Sequence, residues 1–230
     1  IAAKGIYRDP VRSSDAHFVK ASGLRWLSLM LVVDIPWAQR VWALPFFTVL
    51  APSERYNQQR NHRHKYLIDW ARQMLKQVRR WLPHRALVVT AESCFAALEM
   101  LSALSSLSSA VHMVTRLRFD AALYEPAAPR LPHQMGRPRL KGKRLPTLAT
   151  RLQDGGTTWQ QASLKGWYGG QQTQLELVCG TAVWYHTGLP PVPIRWVLVR
   201  DPAAHFEPQA FLCTDLTASP EQILLWFRQR

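Results

Sequence analysis

The stretch from Asn61 to Leu82 constrains the fold more than any other part of the sequence. Leu67, Trp70, Ala71, Met74, Leu75, Val78, Trp81 and Leu82 recur at the three- and four-residue spacing of one helical face. Arg72, Lys76, Arg79 and Arg80 fall on the remaining surface and read as solvated charge. Pro83 ends the helix, because proline lacks the amide hydrogen that a helix interior uses. An unbroken apolar run, Ala86 to Ala91, comes next. A short continuous apolar run after a helix reads as a buried strand of a parallel unit.

Other elements arrange themselves around this unit. Leu24 to Val33 is apolar and β-branched, and Asp34-Ile35-Pro36 stops it. Val41 to Leu50 reads as a second strand, antiparallel to the first, and its internal Pro45 suggests an edge or a bulge. Phe95, Leu98, Leu101 and Leu104 mark a helix that runs out in a Ser-rich stretch, and Val111 to Thr115 is a further buried strand. Lys4 to Arg12 reads as a polar loop. Gln174–Val178, Val183–His186, Ile194–Val199 and Ala210–Thr214 are β-like, and Ser219-Pro220-Glu221 is a helix start. The order predicts a mixed α/β chain with an insertion before its last helix. The expected division is 1–119 core, 120–217 basic arm and β-rich insertion, and 218–230 the start of the final helix.

Composition narrows the function classes. Lys and Arg number 29 against 15 Asp and Glu, a formal charge of +14. That balance points to a polyanion partner, most often nucleic acid. Cys94, Cys179 and Cys213 lie far apart, which argues against a disulfide scaffold and a cysteine-rich zinc site and for a reducing, cytoplasmic compartment. No apolar run reaches the length of a membrane span, so no membrane partner is expected. The first residue is Ile1 and the last run breaks off inside a helix, so both ends read as cut.

Charge is concentrated. From Pro126 to Gln153 there are seven basic residues and no acidic one, and five prolines prevent regular structure over much of the segment. Arg137, Arg139, Lys141, Lys143 and Arg144 are candidate phosphate contacts, with a Gly-Arg-Pro core of the kind that enters a narrow minor groove. A solvated basic loop is the alternative. Arg116 and Arg118, leaving a strand, are candidate phosphate contacts or plain surface arginines. Among Trp159, Trp167, Trp184 and Trp196, Trp167 beside Tyr168, Gly169 and Gly170 is the one expected to be exposed for base stacking, and Trp184 and Trp196 are expected in the core.

Glu92 follows the apolar strand directly, where α/β folds place active groups. A carboxylate supporting the dipole of the next helix is the other reading, and position alone leaves both open. Asp34, Asp120, Asp201 and Asp215 read as turn residues. His62 and His64 are assigned no role.

Longer stretches carry a resemblance. AKGIYRDPVRSS (3–14), LPFFTVLAPSERY (44–56), MGRPRLKGKRLPTL (135–148), GTAVWYHTGLPPVPIRWVLVRDP (180–202) and LCTDL (212–216) resemble bacterial insertion-sequence transposases of the DDE type. The resemblance spans nearly the whole chain. It implies an RNase H-like mixed sheet flanked by helices, with a β-rich insertion before the last helix. It also implies three carboxylates that hold Mg²⁺ or Mn²⁺, hard cations suited to oxygen ligands. The partner implied is double-stranded DNA, at transposon ends and target, with a homodimer when the enzyme is complete.

Glu92, in Ala91-Glu92-Ser93, matches the family's second carboxylate, which is an Asp. By the same resemblance the first Asp lies upstream of Ile1, and the third carboxylate falls four positions past Arg230, in a pattern begun by Phe227 and Arg230. The chain by itself is therefore expected to be inactive and not to bind the metals stably. The expected parent activity is DNA cleavage and strand transfer. The rivals are a catalytically dead DNA-binding remnant and a basic RNA- or ribosome-associated protein.

Overall fold

In the computed structural model, which describes residues 2–9, 11–14, 16–130, 133, 135–165, 167 and 172–230, the chain forms two compact units, Ile1–Val78 and Arg79–Arg230.

The first unit is built on the expected hairpin. Strand β3 (Arg25–Ile35) pairs antiparallel with β4 (Arg40–Ala51). A 3₁₀ turn at Pro36–Ala38 joins them, closed by Gln39 in the left-handed region at φ 50°, whose amide donates to the Pro36 carbonyl. The register slips where Leu29 faces Phe47 and Met30 faces Pro45. Phe46 is the extra residue, so the bulge sits beside the proline that cannot donate to a ladder. Lys4–Arg12 departs from the loop expectation: β1 (Gly5–Arg8) pairs with β2 (Lys20–Gly23). Ser53 caps the short helix α1 (Glu54–Gln59), accepting from the Tyr56 amide.

Helix α2 (Leu67–Trp81) begins six residues later than the spacing suggested. Asn61, at φ 53°, turns the chain away from α1, and the Asp69 carboxylate takes the Tyr66 amide at the new start. Ala71, Met74, Leu75 and Val78 are buried as predicted, whereas Trp81 and Leu82 are exposed.

Arg79 corrects the expectation of a solvated arginine, and it belongs to the second unit. It is 7% exposed. Its Nη1 donates to the carbonyls of Leu82 and Arg85, each at 2.7 Å, and Nη2 donates to that of Ala110 at 2.8 Å. An arginine in a last helical turn can reach the carbonyls the helix leaves unpaired. Here it also ties together the two loops that lead into adjacent strands.

Those strands are β5 (Leu87–Ala91) and β6 (Val111–Arg116), parallel and connected through helix α3 (Leu98–Ser105). The rest of the unit comprises β7 (Leu123–Tyr124), α4 (Leu148–Gln153), β8 (Gln160–Lys165), β9 (Gln172–Trp184), β10 (Val192–Arg200), β11 (Gln209–Cys213) and α5 (Pro220–Arg228). All its strands make one seven-stranded mixed sheet in the order β5-β6-β11-β10-β9-β7, with β8 also on β9. This mixed sheet flanked by helices is consistent with an RNase H-like fold. The strands of segment 120–217 thus lie in the same sheet as β5 and β6. β5 is half-exposed rather than buried, because it is an edge strand.

The core lies between the sheet and α5. Val114, Leu177, Val197, Val199, Phe211, Ile223 and Leu224 are fully buried, and the Phe211 and Phe227 rings are 4.7 Å apart. Gly180 allows β9 to continue where two separate strands were expected. A Cβ there would meet the Trp196 ring at 2.8 Å. No helix among the described residues is long and apolar enough to cross a membrane.

Candidate functional site

Glu92 is the first residue beyond β5, in extended conformation, and Ser93–Phe95 then make a single 3₁₀ turn. Ala91 pairs with Thr115, so Glu92 and Arg116 leave neighbouring parallel strands at the same sheet end. The helix-dipole alternative falls away: α3 starts at Leu98, and the acidic residue in its first turn is Glu99. The Glu92 side chain is 61% exposed, and Oε1 accepts from Arg230 Nη1 at 2.7 Å. Arg230 is itself steadied 4.5 Å over the Phe227 ring at the end of α5. The Arg116 guanidinium lies 5.9 Å from the centroid of the same ring.

This is a carboxylate among cations. Among the described residues no three His, Cys, Asp or Glu side chains gather where they could hold a metal ion. A pair of divalent cations calls for several converging carboxylate oxygens. The residues around Glu92 do not fit that pair, since its partner is a guanidinium.

Cys94, exposed and two residues on, reports on this charge. Partial burial raises its thiol above the ordinary value, and the Glu92 carboxylate raises it further. The thiolate is the reactive form. Glu92→Gln is therefore expected to speed iodoacetamide labelling of Cys94 at mildly alkaline pH by about twofold or more. An unchanged rate, followed by mass spectrometry, would remove Glu92 from the thiol's surroundings. Cys213, buried and pushed up to about 12, should stay unlabelled until the chain unfolds.

The basic arm is extended but anchored. Glu125 N donates to the Lys143 carbonyl at 2.8 Å, Gly142 N to that of Glu125 at 2.8 Å, and Leu145 N to that of Leu123 at 2.9 Å. The candidate cations then separate by environment. Arg137, Arg139, Lys143 and Arg144 are exposed and make no ion pair among the described residues. Lys141 is held 3.5 Å over the Tyr124 ring and 4.5 Å over that of Tyr185. Arg118 is occupied: Nε and Nη2 bind the two oxygens of Asp120 at 2.8 and 2.6 Å. That fork holds the Asp120 carboxyl below its ordinary value.

Trp167 overturns the expectation of exposure. It is 3% exposed, packed near Phe206 and Phe211, and is not placed to stack on a base. Its neighbours Tyr168, Gly169 and Gly170 lie outside the described residues. Trp196 is in the core as expected, Trp184 is half-buried, and Trp159 is half-buried with the Arg200 guanidinium 4.0 Å over its ring. Asp201 and Asp215 do shape turns, through Ala203 and His205 amides and through Thr217. Asp34 instead lies within β3.

Sequence reasoning passed over a second basic locus, in the first unit. Lys4, Arg25, Arg55, His64 and Lys65 line one pocket of about 590 Å³. No spacing rule joins these residues, which come from separate segments of the unit.

The second unit thus combines a mixed sheet, a carboxylate at the end of a parallel strand and an extended basic segment with exposed cations. Residues 7–177 match the model of the DDE superfamily endonuclease family, and the chain belongs to that family. No curated protein and no solved structure matches it.

Proposed function

We propose that this chain is part of a DDE-type transposase whose activity is cleavage of double-stranded DNA at transposon ends and strand transfer to a target. By itself the chain binds duplex DNA without cutting it. The observation that supports this most is the state of Glu92: it stands at the end of the parallel strand, where the family's second carboxylate belongs, yet its oxygen is taken by Arg230. The substitution of Glu for Asp adds a methylene and displaces the carboxylate by about an ångström, enough to cost about a hundredfold in rate even in a complete site. The exposed cations Arg137, Arg139, Lys143 and Arg144 would supply binding that needs no chemistry.

A plasmid-nicking assay with Mg²⁺ or Mn²⁺ tests the silent half of the proposal. No nicking above the buffer control is expected. Cleavage that disappears in Glu92→Ala would establish a working nuclease instead. Fluorescence anisotropy with a labelled DNA duplex tests the other half. Binding that RNA outcompetes would favour the RNA-associated reading, and no binding would reject both.

A further inference from the structure

We propose that the pocket of the first unit seats one nucleotide of a DNA strand, its phosphate among the cations and its base against Tyr66. The proposal rests on the DNA reading above, and it assigns that reading a contact separate from the arm.

The pocket has a fixed wall. Ser53 N donates to the Ala3 carbonyl at 3.2 Å and Ser53 Oγ to that of Lys4 at 3.0 Å, which ties the start of α1 to the strand end of β1. Its volume, about 590 Å³, lies in the range of small-ligand sites. Lys4, Arg25, Arg55 and Lys65 line it together with a single acidic residue, Glu54. None of these four cations makes an ion pair among the described residues.

Several of the donors are held in place. The Arg25 guanidinium lies 4.1 Å over the Tyr7 ring. Lys65 Nζ sits 4.7 Å over Trp70 and donates one proton to Gln73 Oε1 at 2.9 Å. An ammonium group has three protons, so others remain for an anion. His64 is fixed by Asn57, a buried residue whose amide Nδ2 is 3.0 Å from His64 Nδ1. An amide nitrogen donates, so in this contact Nδ1 accepts and the ring N–H is on Nε2. His64 therefore adds an Nε2–H donor to those of the cations. The Tyr66 ring packs edge-on against His64 at 5.1 Å and is 67% exposed. Fixed cations around a cavity with an open aromatic face at its rim match a phosphodiester with its base.

The test uses the full chain, labelled with ¹⁵N, and the probe is a 5′-phosphorylated thymidine trinucleotide. The His64 side-chain signals, assigned by their loss in His64→Gln, should shift saturably. Arg55→Gln should weaken binding about tenfold or more, as expected for a lost charge-assisted contact. Tyr66→Ala should weaken the trinucleotide and leave inorganic phosphate unaffected. The proposal fails if the His64 signals stay put, if Arg55→Gln binds normally, or if inorganic phosphate or an RNA trinucleotide binds as tightly as the DNA probe. Duplex binding through the arm is measured separately. Duplex binding with a silent His64 rejects the pocket and keeps the DNA reading, and a His64 shift without duplex binding keeps the seat and rejects duplex binding by the arm.

Discussion

Arg79→Ala is expected to destabilise the second unit by about 3–5 kcal/mol, as breaking a buried charged network does. The guanidinium is buried and its partners are neutral carbonyls from Leu82, Arg85 and Ala110. Removing it leaves those acceptors without their donor, at about 1–3 kcal/mol for each one that stays buried and unsatisfied. Arg85→Ala is the control. It keeps the backbone carbonyl that Arg79 binds and changes an exposed side chain, so its effect should stay within about 0.5 kcal/mol. Urea melts of the three proteins decide the matter. Equal midpoints for Arg79→Ala and wild type would show that the clamp contributes nothing. The clamp also fixes how the chain enters β5, and so where Glu92 emerges.

The second large effect concerns the arm. Changing Arg137, Arg139, Lys143 and Arg144 together to Gln should lower duplex affinity about a hundredfold near physiological salt and flatten the log–log salt slope by about 3–4. Each phosphate contact releases condensed counterions, so the slope counts contacts more directly than affinity does. Lys141→Gln should change the slope less, because that ammonium is already held over Tyr124 and Tyr185. A slope unchanged in the fourfold variant would show the arm to be a solvated loop.

These two cases show what could be read in the sequence. The β3–β4 hairpin, its bulge beside Pro45, the buried face of α2 and the β5–β6 parallel pair follow from local apolar spacing and proline chemistry, and all are present. Strands β1, β2 and β8 were missed because their residues are mostly polar or small and carry no apolar alternation, so only their pairing with a neighbouring strand marks them. Trp167 was misjudged because neighbouring glycines suggest an open loop, whereas packing near Phe206 and Phe211 decides its burial.

Glu92 was legible from its place after an apolar strand. Its Arg230 partner was not, since that contact depends on how α5 lies across the sheet. Arg79 looked like any polar-face arginine until the loops after α2 and before β6 were in place. His64, set aside for want of metal spacing, gains its interest from Asn57 and from a pocket that brings separate segments together.

The strand order has a consequence for the time at which this protein can become itself. β6 pairs on one side with β5, whose partner residues are close in the chain: Leu87 meets Val111. On the other side it pairs with β11, where Val114 meets Cys213. Bringing such distant segments together carries a larger loop-closure cost, and long-range pairing slows folding. During synthesis the middle of the sheet therefore waits for β11, about a hundred residues after β6. Until β11 leaves the ribosome, β6 has an open side and Val114 lacks its cover, so the nascent protein exposes an unpaired strand edge just where its finished core is fully buried.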